Sequence, residues 1–328
     1  MIDVIYPRLF LELMPNEIRQ SIPELKSWHP GTDNDETLCS SYGKLIGRVY
    51  RHNPHSNIGL EFGKLLQPQT LCDVSQVVAS SNDIDSAFRF IEQAFHIHSA
   101  SYYPTVLRDR GIFSLALIFP FKARVSNFQR RFCVETVFSY AMNMLLTTAD
   151  PKFRPSRISF DFPKPTYANE YRRIFGDNIR FDAPLNLIEF DELDLKKKIS
   201  TGNPTLNNMY VKKSVADWRS KRPQTNFEQE AITCMLQNHP ESFSCQTLAS
   251  LMNLSVRGLQ KKLKKHEVTF SQIANRTKKE LAKIYLIQEK QSLDWTADKL
   301  GFQSRSGFNC FFKSEFKDTP VNFINLTK

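Results

Sequence analysis

Residues 247–265 read TLASLMNLSVRGLQKKLKK, and residues 295–313, WTADKLGFQSRSGFNCFFK, repeat the same plan. In each copy an alanine lies four residues before a turn residue, Asn253 or Gly301, that tolerates a positive φ angle. A serine follows each turn at a position where it can cap a second helix. The spacing therefore predicts two helix-turn-helix units, in which the small alanine lets the two helices cross closely.

The apolar residues after each turn predict which side of the second helix is buried. Leu259 and Leu263 in the first copy, and Phe308 and Phe312 in the second, recur at helical spacing. The opposite face is polar and suits a DNA groove, although a solvated charged face is the plainer alternative. The repetition favours DNA binding through this face, which carries Arg257, Gln260, Lys261 and Lys264 in the first copy and Arg305, Asn309 and Lys313 in the second.

A helical pattern also runs between the two copies, from residue 270 to residue 288. At the rise of an α-helix this segment is about 27 Å long, which is near the ~34 Å between successive major-groove faces. The pattern predicts a linker helix that lets the two helix-turn-helix units, called reading heads below, lie on one side of a duplex.

Together with the closing Thr319-Pro320, these motifs resemble the DNA-binding domain of the AraC/XylS family of bacterial transcription regulators. The resemblance covers residues 225–328. It implies an all-α domain with two helix-turn-helix motifs joined by the linker helix. It also implies that bases are read by Arg257, Gln260 and Lys261 in the first recognition helix and by Arg305, Ser306 and Asn309 in the second.

Three positions depart from the family pattern. Cys310 stands where that family commonly has an arginine that contacts DNA, so weaker base reading is expected from the second helix. Glu267 and Lys317 stand where glycine usually ends each recognition helix, and we expect strain at both helix ends.

The first 195 residues combine helical patterns with short alternating strands, including a hairpin around Gly111. This order predicts an α+β domain with helices around an antiparallel or mixed sheet. The runs 157–163 and 179–186 resemble the effector-binding domain of the ornithine- and arginine-utilisation branch of the same family. That resemblance implies a domain for sensing and dimerisation, and it assigns no pocket residues.

Charge divides the chain into three parts. Residues 1–195 contain 21 Lys and Arg against 23 Asp and Glu, residues 196–224 contain 8 against 1, and residues 225–328 contain 15 against 10. The positive excess therefore lies in a basic linker and the C-terminal domain, which favours a polyanion partner over an anionic membrane surface.

Residues typical of metal sites or catalysis are dispersed. The six cysteines form no CxxC pair and are expected to be reduced thiols in a cytoplasmic protein. The histidine pairs, His52 with His55 and His96 with His98, are expected in loops or at the surface. We therefore predict no metal, no cofactor and no catalytic residues, and the sequence shows neither a secretory signal nor a membrane span.

These observations predict a transcription regulator, with activation as the expected outcome, that binds double-stranded promoter DNA under the control of a small-molecule effector. RNA polymerase and a second copy of the chain are the expected protein partners. Two alternatives stay open. One is a constitutive regulator whose N-terminal domain only dimerises, and the other is an N-terminal enzyme with a DNA-binding tail.

Overall fold

The computed structural model describes residues 10, 14, 16–21, 45–53, 55–67, 73–94, 103–109, 111–119, 126–220, 227–240 and 242–325. In the N-terminal region the helices are α1 (Asn16–Ser21), α2 (45–52), α3 (Ile58–Leu65), α4 (Asp73–Ser80), α5 (Ile84–Ala94), α6 (Asn127–Thr148), α7 (Ala168–Phe175) and α8 (Pro204–Ser220). The strands are β1 (Tyr103–Asp109), β2 (Ile112–Ile118), β3 (Arg157–Ser159), β4 (Ile179–Arg180) and β5 (Asn186–Asp191).

The five strands form one mixed sheet in the order β1-β2-β5-β3-β4. Strands β1, β2, β5 and β3 pair antiparallel with their neighbours, while β3 and β4 pair parallel. The predicted α+β class is confirmed, and of the two predicted kinds of sheet the mixed one is present. Gly111 has a φ of 81° in the β1–β2 hairpin turn, a conformation that glycine adopts without strain.

The two faces of the sheet have different partners. Phe113, Leu115 and Leu117 of β2 point into a core shared with the helices α3 to α7. Ala116 and Ile118, the intervening residues of the same strand, belong instead to a cluster with the cores of the C-terminal helices. Because successive side chains of a strand alternate between faces, one face of the sheet is covered by its own helices and the other by the C-terminal domain.

Helices α3 and α6 pack with little space between their backbones. The hydroxyl of Ser139 donates to the Leu60 carbonyl at 2.8 Å, and the hydroxyl of Thr136 donates to the Gly59 carbonyl at 3.2 Å. A Cβ atom placed on Gly63 would lie 2.5 Å from the Thr136 carbonyl oxygen and 3.0 Å from the Tyr140 nitrogen. Both neighbours are backbone atoms, so the helices would have to separate to make room.

We predict that Gly63→Ala lowers the free energy of unfolding by about 1–3 kcal/mol because it overpacks this contact. Gly47→Ala is the matched control, since Gly47 lies in α2 and no heavy atom of the described residues would lie within 4 Å of an added Cβ. There the better helix propensity of alanine should stabilise the domain by up to about 1 kcal/mol. Urea unfolding followed by far-UV circular dichroism would compare the two. Equal effects from both substitutions would mean that α3 and α6 are not in such close contact.

Helix α8 belongs by its contacts to the N-terminal region. The side-chain amide of Asn207 donates to the Val77 carbonyl of α4 at 2.8 Å, and the hydroxyl of Thr201 donates to the Ala79 carbonyl at 2.6 Å. The ammonium of Lys197 lies 2.8 Å from carboxylate oxygens of both Asp150 and Asp194. The first part of the basic segment is therefore attached to the N-terminal region by hydrogen bonds and ion pairs.

The C-terminal region is helical. Its elements are α9 (Phe227–Asn238), α10 (Cys245–Leu251), α11 (Val256–Lys265), α12 (Phe270–Lys283), a π-helical turn (Ile284–Gln288), α13 (Leu293–Lys299), α14 (Arg305–Phe316) and α15 (Pro320–Asn325). The linker helix begins where the sequence predicts. Its α-helical part ends at Lys283, because the last five residues are wound as a π-helix whose side chains are all buried. Within the described residues, no helix has both the length and the apolar character needed to cross a membrane.

Candidate nucleic-acid interface

The first helix-turn-helix unit comprises α10 and α11. Each helix begins with a serine cap: the backbone N–H of Thr247 donates to the Ser244 hydroxyl at 3.1 Å, and that of Gly258 donates to the Ser255 hydroxyl at 3.0 Å. Asn253 makes the turn with a φ of 53°. Caps and turn together fix the direction in which α11 leaves the turn, as the sequence predicts.

The second unit comprises α13 and α14 and has the same construction. The N–H groups of Trp295 and Gly307 donate at 3.2 Å to the hydroxyls of Ser292 and Ser304. Gly301 makes the turn with a φ of 71°. The repeat seen in the sequence is therefore a structural repeat.

Helix α11 exposes its polar face. Leu259 is fully buried and Leu263 is 7% exposed. This side of the helix therefore packs into the core of the first lobe, which comprises α9 to α11. The four predicted DNA-contacting residues of this helix are all exposed to solvent: Arg257, Gln260, Lys261 and Lys264. Three cations and one amide thus lie on one accessible helical surface.

Helix α14 belongs to the second lobe, which comprises α13 to α15, and its polar face is less fully exposed than that of α11. Arg305, Ser306 and Lys313 are exposed, whereas Asn309 is half-buried. The side-chain amide oxygen of Asn309 has no hydrogen-bond partner among the described residues. The Arg305 guanidinium lies 3.3 Å from the Asp294 carboxylate at a largely exposed position, where solvent weakens the pair. Of the predicted residues on this helix, Asn309 is the least accessible.

The two residues that replace the usual glycines adopt the backbone conformation that a glycine would. Glu267 has a φ of 54° and Lys317 a φ of 59°, both in the left-handed region. That region is unfavourable for residues with a Cβ atom, so the predicted strain at both helix ends is present. The Lys317 ammonium donates to the Ser314 carbonyl at 2.8 Å, which partly satisfies the end of α14.

The linker helix holds the two lobes together through lysines that the sequence analysis did not identify. The ammonium of Lys278 lies 4.8 Å from the ring centre of Phe243 and 4.5 Å from that of Phe302. Burial lowers the pKa of Lys278. Lys279 donates to the Glu315 carboxylate at 3.0 Å. A Lys-Lys pair in a polar helix resembles solvated charge, and only its midpoint position between two repeats could have suggested this role.

The junction between the sheet and the C-terminal domain contains a shallow depression that is partly open to solvent. Arg157 lines it and forms a two-point ion pair with Glu189, at 2.6 and 3.0 Å. Arg180, Leu187 and Ile287 of the π turn also line it. Phe113 and Phe119 are buried in the core of the N-terminal domain.

The described residues contain no cluster of three or more His, Cys, Asp or Glu side chains able to hold a metal ion. His52 is exposed, and the His55 ring lies 3.1 Å from the Thr166 hydroxyl. His96 and His98 lie outside the described residues, as do Cys39 and Cys72. The described cysteines have free thiols: Cys133, Cys234, Cys245 and Cys310.

Comparisons with known proteins match one family model to each half of the chain. Residues 35–199 match the family described as the arabinose-binding domain of AraC transcription regulator, N-terminal, and residues 248–325 match a helix-turn-helix domain family. The ornithine utilization regulator of Pseudomonas aeruginosa is 22% identical over 272 residues, covering 80% of this chain and 79% of that protein.

The solved structure of the transcriptional regulator CdpR from Pseudomonas aeruginosa aligns with 94% of this chain and 97% of its own, at 14% identity and a TM-score of 0.46. The family match to the N-terminal half covers half of the chain, and the two capped helix-turn-helix units occupy the other matched region. The chain therefore belongs to the AraC family of transcription regulators, with an effector-binding domain followed by a helix-turn-helix DNA-binding domain.

Proposed function

We propose that this chain is a sequence-specific transcription activator in which residues 1–195 sense a small molecule and dimerise, residues 196–224 join the domains, and residues 225–328 bind promoter DNA. The observation that carries the proposal is the exposed polar face of α11, with Leu259 and Leu263 buried behind it. A helix with its apolar side fixed in a core can present its polar side to the major groove without rearrangement.

In this proposal the two recognition helices have unequal roles. Arg257, Gln260 and Lys261 contact base edges in one major-groove segment, and Lys264 contacts a phosphate. Arg305, Ser306 and Asn309 contact bases in the next segment, and Lys313 contacts a phosphate. The half-buried Asn309 and the neighbouring Cys310 support weaker base reading by the second helix. The first helix then supplies most of the sequence preference.

We predict that Arg257→Ala loses about 1–3 kcal/mol of binding free energy on the preferred sequence and relaxes selectivity at one base position. Lys264→Ala, the matched variant two turns further along the same face, should weaken binding to all sequences alike and reduce the salt slope by about 1. Binding sites selected from a random duplex library, followed by titration at several salt concentrations, measure both effects.

Gln246→Ala is a control, because Gln246 is exposed on α10 and is not among the predicted DNA-contacting residues. It should leave both affinity and selectivity unchanged. If Arg257→Ala and Lys264→Ala lose affinity equally on selected and random DNA, the division between base reading and phosphate contact is wrong.

We infer further that effector binding in the cytoplasm changes how the two reading heads meet DNA and RNA polymerase, and that the N-terminal domain binds its ligand without turning it over. A thermal-shift screen of the full chain against metabolites tests this. It includes ornithine, because the Pseudomonas relative is named for ornithine utilization. A thermal shift without chemical conversion supports a sensor, conversion supports an enzyme, and no response to any ligand supports a constitutive regulator.

A further inference from the structure

The π turn, residues Ile284–Gln288, is where the sheet and both DNA-binding lobes meet. All five of its residues are buried. Single π turns within α-helices occur frequently at functional sites, because they cost helix stability and persist only where tertiary contacts maintain them. The π turn contacts three parts of the chain: the N-terminal sheet, the first lobe and the second lobe.

The contact with the sheet is made by Gln288. Its side-chain amide donates to the Ser114 hydroxyl at 3.1 Å, and it lies 3.4 Å from the carbonyl oxygens of Ser114 and Thr105. Ser114 is on the same face of β2 as Ala116 and Ile118, the face that packs on the C-terminal cores. Gln288 therefore anchors the end of the linker helix to the N-terminal domain.

Tyr285 makes the contacts with the two lobes. Its hydroxyl lies 3.0 Å from Nδ1 of His239, at the end of the first lobe's helix α9. Burial and the charge of Lys299 lower the pKa of His239, which favours the neutral ring in this bond. The Tyr285 ring meets the Trp295 ring of the second lobe edge-on, with centroids 5.2 Å apart.

The polar contact with the sheet is incompletely satisfied. The side-chain amide oxygen of Gln288 and the hydroxyl of Thr105 are buried without hydrogen-bond partners among the described residues. Buried polar groups without partners cost free energy that they would recover in water. This cost brings the free energy of the docked arrangement closer to that of a released one.

The winding of the turn determines where the second lobe lies. The Glu289 N–H donates to the Ile284 carbonyl at 2.9 Å, five residues back, where an α-helix would use the residue four back. Closing this turn to an α-helix would rotate the residues after it relative to those before it. The change corresponds to one α-helical residue, about 100° around the helix axis and about 1.5 Å along it. Everything after Gln288, including α13 and α14, would move relative to α11.

We propose that the π turn is the element through which the N-terminal domain sets the register of the two reading heads. Docked on the sheet, the turn stays π-helical and holds α14 in one register relative to α11; released, it closes to an α-helix and moves α14 to another. Arg257 and Arg305 are exposed in the docked arrangement, so control acts through head geometry and leaves the DNA-reading faces uncovered.

Gln288→Ala in the full chain tests the proposal, with Ser114→Ala as the partner variant and Gln246→Ala as the control. We expect amide hydrogen exchange of residues 284–291 to become about fivefold faster in each of the first two variants, as for the loss of one buried hydrogen bond. In the double variant, the increase in exchange rate should be smaller than the product of the two single-variant increases, because both substitutions remove the same contact.

DNA selection tests the geometric part. Sites selected from a random duplex library by the wild-type chain and by Gln288→Ala should contain the same two recognised segments at a different spacing. Unchanged exchange in 284–291, or an identical spacing with both proteins, would overturn the proposal. It rests on the proposed DNA-binding function, and failure of that function is seen separately, as a wild-type chain that selects no sequence at all.

Discussion

Glu135→Ala is expected to lower the free energy of unfolding of the N-terminal domain by about 3–5 kcal/mol. Glu135 lies in α6 with no exposed surface, and one turn earlier Arg131 approaches the same carboxylate at 2.9 Å. Removing the carboxylate leaves the guanidinium of Arg131, whose side chain is only 16% exposed, without its counter-charge. An uncompensated buried charge is among the most costly changes a domain can suffer.

The carboxylate is also the acceptor for three tyrosines, one in α2, one just before α7 and one within α7. Tyr50 of α2 donates to one oxygen at 3.1 Å, while Tyr167 at 2.9 Å and Tyr171 donate to the other. Burial raises the pKa of Glu135, and Arg131, Tyr171 and Tyr50 oppose that shift. Alanine would leave the buried hydroxyls of Tyr50 and Tyr171 without this acceptor, which adds to the loss.

Two controls separate the network from general effects of substitution. Glu135→Gln keeps an acceptor of the same shape, so it should lose less than the alanine variant. Glu170→Ala breaks an ion pair of the same length, 2.9 Å, between Glu170 and Arg173, but the Arg173 side chain is 75% exposed. The loss in free energy of unfolding should therefore stay below about 1 kcal/mol. Urea unfolding and amide exchange in α6 measure all three. Similar losses for Glu135→Ala and Glu170→Ala would contradict the role given to the network.

The local features of the DNA-binding domain could be predicted from sequence because each depends on residues close together in the chain. Ser255, Asn253 and Leu259 lie within one helix-turn-helix unit, and their cap, turn and core positions follow from spacing alone. The same is true of the left-handed residues Glu267 and Lys317, which occupy positions where a helix must end.

Features that depend on distant parts of the chain could not be predicted. Arg131 and Glu135, four residues apart on a helix, look like an ordinary surface pair, and only the packing of α2 and α7 buries them. The linker helix looks continuous to Gln288, because nothing nearby indicates that Ser114 will bind its last turn. The exposed face of α11 was predictable, whereas the half-burial of Asn309 depends on how α14 packs in its lobe.

Phe312→Ala is expected to destabilise the second lobe by about 3–5 kcal/mol, the usual cost of emptying a buried phenylalanine site. Phe312 is fully buried, and its ring centre lies 4.1 Å from that of Phe316, 5.2 Å from Phe323 and 5.6 Å from Phe308. These rings fix α14 against α15. A cavity among them loosens the helix that carries Arg305 while leaving the first lobe, whose recognition helix is buried through Leu259 and Leu263, unaffected.

The DNA-binding consequence follows from this asymmetry. On a site with both recognised segments, Phe312→Ala should bind about as weakly as wild type binds a site with only the first segment, and amide exchange should accelerate in α14 and not in α11. Phe312→Leu, which gives the second lobe the residue type of Leu263 in the first, should lose less on both measures. Lys313→Ala, at the exposed neighbouring position, should weaken DNA binding without faster exchange. If Phe312→Ala accelerates exchange equally in both lobes, the lobes fold as one cooperative unit, and the linker helix transmits the damage from one reading head to the other.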